Sequence, residues 1–320
     1  MREAALALPL LGFVLLSLAA CKGDPAPAAP RPPPTVCNGH AELCLRAYDK
    51  VAFPGTHDAY SDVADGFGAP DQTNTLTKQL EDGVRVLHLE IRAYRGDVDV
   101  CHGYCIIGQR PLADVFAEID AFVGAHPDEV VTLLMESSDV TTDDIATRVQ
   151  ASGLGGSVHT QAAGSPWPTL SQMIENGDRV VLLLADLTQT GGGSYPWLLP
   201  RWGFTWETPW DNEKPSDFTR CNADRGTMGN DLYVVDTYVE GTVIPTVAEA
   251  MTVNVNPFLI GRLLHCQAAE KTLPSFVMVN YYEVGDLFRD VDALNGLAPV
   301  PDAGVFPPGD AGTADAADGD

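Results

Sequence analysis

The feature that most constrains this chain is an alternation. Apolar, β-branched runs lie at Lys50–Phe53, Val84–Ile91, Val130–Met135, Val180–Leu184, Leu232–Val235 and Phe276–Asn280. Amphipathic or helix-prone segments separate them at Thr75–Glu81, Leu112–Ala125, Thr142–Ala151, Thr169–Glu175, Val247–Glu270 and Val284–Leu294. Strands that are apolar throughout need cover on both faces, and helices between successive parallel strands supply it. The unit from residue 37 to residue 297 is long enough to close such a sheet into a single (β/α) barrel. An open doubly wound sheet is the alternative, but no G-x-G-x-x-G follows the first run. The expected fold class is therefore α/β, one barrel.

The flanks are of other kinds. "MREAALALPLLGFVLLSLAAC" carries Arg2, an apolar stretch and small residues before Cys21, the pattern of a secretory leader over residues 1–20. Its "LAAC" is similar to a bacterial lipobox, which implies cleavage before Cys21 and acylation of that cysteine. Several acyl chains on one residue would hold the protein on a membrane surface. Lys22 after the cysteine fits export to an outer membrane or cell surface. Residues 21–36 are Pro/Ala-rich and read as a tether, and residues 298–320 read as a disordered acidic tail.

Charge and cysteine content narrow the partners. A net charge of −25 argues against nucleic acid and offers no attraction to anionic lipid. Of seven cysteines, setting aside Cys21 leaves six, an even number that reads as disulfides in an exported protein. Proximity suggests Cys37–Cys44, Cys101–Cys105 and, by default, Cys221–Cys266, among fifteen connectivities. A monomer is expected.

Ionisable residues collect at the ends of the apolar runs. The first run leads to His57 and Asp58; the second carries His88, Glu90 and Arg92 at period two, on one face of a strand. His102 follows between Cys101 and Cys105, and the next run ends in Glu136. In a parallel barrel the C-terminal strand ends meet at one mouth, where active sites sit. A charged row on a central strand is costly unless it is paired or functional. Two imidazoles with carboxylates suit phosphodiester cleavage, one ring taking a proton from the attacking hydroxyl and the other protonating the leaving oxygen. The oxygen-rich set Asp58, Glu90 and Glu136 favours Ca2+ over zinc as a bound cation, while His88 beside it leaves the metal's identity open. His88, Arg92 and Tyr281 are expected to face substrate.

These residues carry a resemblance. "CNGHAELCLRAYDKVAFPGTHDAY", "QTNTLTKQLEDGVRVLHLEIRAYRGDVDVCHGYC" and "PLADVFAEIDAFVGAHPDEVVTLLMES" resemble successive parts of the phosphatidylinositol-specific phospholipase C X-domain family, in its secreted phosphodiesterase branch. "SPWPTLSQMI", "RCNADRG" and "VMVNYYEVGDLFRDVDALNG" resemble later landmarks. The resemblance implies a distorted TIM barrel. It places His57 and His102 on the catalytic histidines and Asp58, Glu90 and Glu136 on metal-ligand positions. It also implies a phospholipid or other phosphodiester substrate. His88 departs from the pattern, which has an acid there, and Asp236-Thr237 stands where the family has Asn-His. A glycerophosphodiester phosphodiesterase is the nearest rival, but that family opens with His-Arg-Gly where this chain has Thr56-His57-Asp58. A non-catalytic lipid- or carbohydrate-binding surface module is the other. The Trp197, Trp202, Trp206 and Trp210 segment reads equally as a ligand-stacking lid or as ordinary packing.

Overall fold

A computed structural model describes residues 32–137, 139–186, 195–240, 244–304 and 306. The leader, Cys21 and the end of the acidic tail lie outside these residues. The strands are β1 (Phe53–Thr56), β2 (Val86–Tyr94), β3 (Asp97–Val100), β4 (Arg110–Pro111), β5 (Val131–Ser137), β6 (Val180–Asp186), β7 (Leu198–Pro200), β8 (Thr205–Glu207), β9 (Arg225–Gly226), β10 (Leu232–Asp236) and β11 (Pro274–Val279). The helices are α1 (Leu76–Asp82), α2 (Leu112–Ala125), α3 (Thr142–Ala151), α4 (Leu170–Asn176), α5 (Arg201–Phe204), α6 (Val247–Val253), α7 (Phe258–Glu270) and α8 (Leu287–Leu294).

One sheet runs β7-β6-β5-β2-β1-β11-β10-β8, with every neighbouring pair parallel. Two-residue β9 then pairs antiparallel with β8, and β3 and β4 form an antiparallel flap on β2. Around the sheet the strands follow chain order, as in a (β/α)8 barrel. Among the described residues no ladder joins β7 to β8, so the barrel is open at that seam, and short α5 links the two strands directly. The expected single distorted barrel is what the chain forms.

Side-chain parity explains the layers. Leu87, Leu89, Leu133, Met135, Leu182, Val235 and Val277 pack in one buried cluster with helix residues such as Phe116, Ile119 and Leu263. The residues one position along from these, Val86, Leu134, Leu183, Val234, Phe276 and Met278, point to the other face and form a second cluster inside the barrel. Tyr48 stacks on Trp167 at 4.7 Å within that inner cluster. The helices meet the outer face by helical spacing: α2 buries Leu112, Val115, Phe116, Ile119, Phe122 and Val123. Among the described residues no helix is long and apolar enough to cross a membrane.

Several expectations are corrected. Strand β1 begins at Phe53 and runs through Pro54-Gly55, whereas Tyr48–Lys50 is a 3-10 turn. Gly55 makes this possible, since a Cβ there would lie 2.4 Å from Met278 Sδ and 3.0 Å from Val86 Cβ. The expected helix over Val247–Glu270 is two helices, α6 and α7, because Pro257 has no N–H to continue the ladder. The Trp-rich segment contains β7, α5 and β8, which were not expected. Residue 306, placed in the tail, packs its Phe ring 5.5 Å from Phe258 and from His265 on α7. All three disulfides form as proximity suggested: Cys37–Cys44, Cys101–Cys105 and Cys221–Cys266.

Candidate active site

The inner row of each strand changes character at its C-terminal end. On β2 Val86 is followed by His88 and Glu90, on β5 Leu134 by Glu136, and on β10 Val234 by Asp236. After β1 comes His57, and after β11 Asn280. Glu90 and Glu136 are register partners on adjacent strands, so two acids stand side by side. Apart from Asn280, these strand-end side chains open into one cavity, whose lining includes His57, Asp58, His88, Glu90, His102, Glu136, Arg201, Arg225, Asp236 and Tyr238. The strand-end residues selected from sequence thus meet at one mouth.

The two outer imidazoles are anchored at Nδ1. His57 Nδ1 lies 3.1 Å from Asn280 Oδ1 and 3.5 Å from Asp71 Oδ1. His102 Nδ1 lies 3.0 Å from the Ala69 carbonyl oxygen and 2.9 Å from Asp71 Oδ2. Both rings direct Nε2 toward Asp58, whose Oδ2 is 4.0 Å from His57 and 3.7 Å from His102. Tyr238 stacks on His57 at 4.0 Å and closes its outer face. His88 sits behind, with Nδ1 2.9 Å from Asp58 Oδ1 and Nε2 3.6 Å from Glu136 Oε1.

Burial and charge oppose each other here. Burial alone would lower the His57 pKa, but the Asp58 and Asp71 carboxylates outweigh it and raise it to about 10. His102 is likewise raised to about 11, burial being overcome by Asp71 and Asp58. His88 also moves up against its burial, through Asp58 and Glu136. Asp58 moves down: burial would raise it, and the three imidazoles more than reverse that. Burial, then the Glu207 charge, pushes Asp236 up to about 7.

A second charged group crosses the open seam. Arg201 on α5 forms ion pairs with Glu136 of β5 and Glu207 of β8. Arg225 on β9 pairs with Glu207 and reaches Glu136 Oε1 at 3.2 Å. Trp202 lies under both guanidinium groups, and Trp210 under that of Arg225. Burial would raise the Glu136 pKa, but Arg201 above all, then His88, holds it well below the usual carboxylate range. Where strand hydrogen bonds are missing, charges tie β5 to β8.

The expected ligand and substrate residues divide accordingly. Glu90 is taken by Arg92 and by the Gly103 N–H at 3.1 Å, and Glu136 by the two arginines. Among the described residues, the sets whose donor atoms approach closely enough to hold a metal ion are His57, Asp58 and His88, and Asp58, Asp71 and His102. His88 lines the cavity, whereas Arg92 and Tyr281 do not. The Tyr281 hydroxyl lies within hydrogen-bonding distance of the Pro70 and Pro245 carbonyl oxygens, so it ties loops together and is not presented to a ligand. Trp206 stacks on Tyr233 inside the fold, which settles that tryptophan as packing. Asp71, Asn280, Arg201 and Arg225 were not assigned roles from sequence. Arg225 stands in the landmark "RCNADRG" and Asn280 ends an apolar run, which were the available signals.

Known proteins bear on the family and the fold. A PI-PLC X domain-containing protein of Arthroderma benhamiae is 26% identical, covering 84% of this chain and 92% of the relative. An uncharacterized secreted protein of the same organism is 27% identical over 82% of this chain and 63% of its own length. A PI-PLC X domain-containing protein of Arabidopsis thaliana is 23% identical over 78% and 62%. The chain thus spans less than two thirds of the latter two. Among solved structures, phosphatidylinositol-specific phospholipase C from Listeria monocytogenes superposes with a TM-score of 0.51 at 15% identity, over 79% of this chain and 95% of that one, and shares the fold. The PI-PLC X family model matches residues 43–295, from ahead of β1 to the end of α8, and the chain belongs to that family.

Proposed function

We propose that this protein is an exported phosphodiesterase of the phosphatidylinositol-specific phospholipase C type. The observation that carries this reading is the pair of imidazoles anchored at Nδ1 in the lining of one cavity, both directing Nε2 toward Asp58. In the reaction we assign, His57 Nε2 takes the proton of a hydroxyl neighbouring the phosphodiester, such as the 2-hydroxyl of an inositol head group. That oxygen attacks phosphorus. His102 gives its Nε2 proton to the departing oxygen, releasing diacylglycerol and leaving a cyclic phosphate. The proton-rich state favoured for both rings suits the acid, whereas the base acts only in the fraction with His57 neutral. Arg225, lining the same cavity, supplies positive charge toward the phosphate oxygens.

Calcium does not fit the donor set as it stands. It takes roughly six to eight oxygen ligands, yet Glu90 and Glu136 are held by arginines and Asp58 is surrounded by imidazoles. No step is therefore routed through a metal. Export through the leader forms part of the same proposal and is supported by the disulfides and by the secreted relative, whereas acylation of Cys21 and residence at the cell surface rest on the "LAAC" resemblance alone.

The test is cleavage of phosphatidylinositol vesicles and of a soluble inositol phosphodiester, with products followed by 31P NMR. A cyclic phosphate should appear, and His57→Ala and His102→Ala should each lower turnover by about 100-fold or more. Activity should not require calcium. Calcium dependence would mean that Glu90 and Glu136 leave their arginines. A wild-type protein inert on both substrates, or histidine variants with normal turnover, would overturn the reading.

A further inference from the structure

The segment 69–72 has no role in the chemistry described so far, yet it touches both outer imidazoles. It is pinned in place from several sides. The Asp71 and Gln72 N–H groups donate to the Ser61 carbonyl at 2.9 and 3.0 Å, and the Tyr281 N–H donates to the Asp71 carbonyl at 2.8 Å. Gln72 Nε2 donates to the His57 carbonyl at 2.8 Å. Within this fixed segment the Asp71 side chain is fully buried. Its Oδ1 faces His57 Nδ1 at 3.5 Å and its Oδ2 faces His102 Nδ1 at 2.9 Å. Among the described residues neither oxygen accepts a hydrogen bond; the two imidazoles face it at ion-pair distance while their Nδ1 hydrogen bonds run to Asn280 and Ala69. A buried carboxylate is costly without compensation, and the compensation here consists of two imidazoles.

We propose that Asp71 is a positioning residue shared by the acid and the base of this site, the roles of the histidines resting on the function proposed above. Each Nδ1 has a second acceptor, Asn280 Oδ1 for His57 and the Ala69 carbonyl for His102. The Asn280 amide can be turned either way, and so leaves the His57 tautomer open. The Ala69 carbonyl accepts only and fixes His102 as Nδ1–H, and the Asp71 carboxylate, also without a proton to give, favours the same tautomer on His57 and faces both N–H edges with negative charge. Each Nε2 is then the atom that exchanges protons with substrate. The sharing has a further consequence. When His57 gains a proton from the attacking hydroxyl, His102 loses one to the leaving oxygen. The positive charge passes from one ring to the other while the summed charge facing Asp71 stays constant. One carboxylate therefore supports both ends of the transfer, and the histidines act as a coupled unit.

The experiment combines NMR and kinetics on the full chain, with 15N-labelled histidine and Asp71→Asn. The ring signals are assigned by their loss in His57→Ala and His102→Ala. Wild type should show a hydrogen-bonded, downfield Nδ1 proton on both rings, and both signals should move upfield together in Asp71→Asn. On the soluble inositol phosphodiester, Asp71→Asn should lower kcat roughly 100-fold or more with little change in KM, as for loss of a residue that fixes a catalytic tautomer. In a His57→Ala/His102→Ala background it should cost nothing further. An unprotonated Nδ1 on either wild-type ring, a change confined to one ring, or an additive loss in the triple variant overturns the proposal. If Asp71→Asn does not fold, an unprotonated Nδ1 on either wild-type ring still overturns the proposal. The NMR arm also needs no substrate, so an inactive wild type would refute the assigned reaction and leave the positioning of the rings separately decided.

Discussion

Arg201→Met probes the charges that cross the barrel's open seam. Arg201 is 2% exposed and pairs with Glu136 and with Glu207, which is 0% exposed. Removing the guanidinium leaves Glu207 buried with Arg225 as its remaining cationic partner among the described residues. Breaking a buried pair by deleting one partner costs about 3–5 kcal/mol, because an uncompensated charge stays behind. At roughly 2–4 °C per kcal/mol for a domain somewhat smaller than this one, the melting temperature should fall by about 10 °C. Thermal melts followed by circular dichroism, with urea unfolding as a second measure, would read the loss. Removing both charges should behave differently. Arg201→Met with Glu207→Leu replaces the buried pair by apolar groups, and such replacements are often neutral, so the double variant should regain at least half of the loss. Glu136 keeps Arg225 at 3.2 Å in that background. A single variant within about 1 kcal/mol of wild type, or a double variant no better than the single one, would refute the view that buried charge holds this seam.

Gly55→Val should destabilise the fold by about 1–3 kcal/mol or more in urea titrations, since the new Cβ meets Met278 and Val86 across both neighbouring strands. Asp290 is buried, accepts a hydrogen bond from Asn256 at 2.8 Å, and is pushed by burial up to about 6. An acid raised in the folded state lowers stability above its folded pKa, and that penalty disappears below its unfolded value. Asp290→Asn should therefore stabilise the protein at pH 8, with the gain shrinking from about pH 6 to nothing near pH 4 in calorimetry at stepped pH. Cys101 and Cys105 bracket His102 in a short ring, so loop-closure entropy contributes little to global stability. Replacing both by Ser should lower kcat more than it lowers the melting temperature; an early-melting variant with normal turnover would assign the bridge to the fold alone.

Periodicity in the chain determined most of the architecture, because it is a local property. A run such as Val130–Met135 is apolar on both faces and short, and only a covered parallel strand accommodates it. The same local logic exposed His57, His88, Glu90 and Glu136, since an ionisable residue at the end of an apolar strand is out of place unless it has a task. The three disulfides were legible because their partners follow one another in the chain or remain as the last pair. What escaped was short or distant. Strands β7 and β8 have three residues each, too few for a period to appear, and their pairing energy comes from neighbours already in place. Asp71 sits in a polar loop whose sequence signals only a turn. It becomes part of the site because Ser61, Gln72 and Tyr281 fix its backbone between two strand ends. The hold of Arg201 and Arg225 on Glu136 likewise depends on segments 65 and 89 residues away. Which carboxylates are already neutralised, and so unavailable to a cation, is a property of distances between charges, and those exist only once the chain has closed on itself.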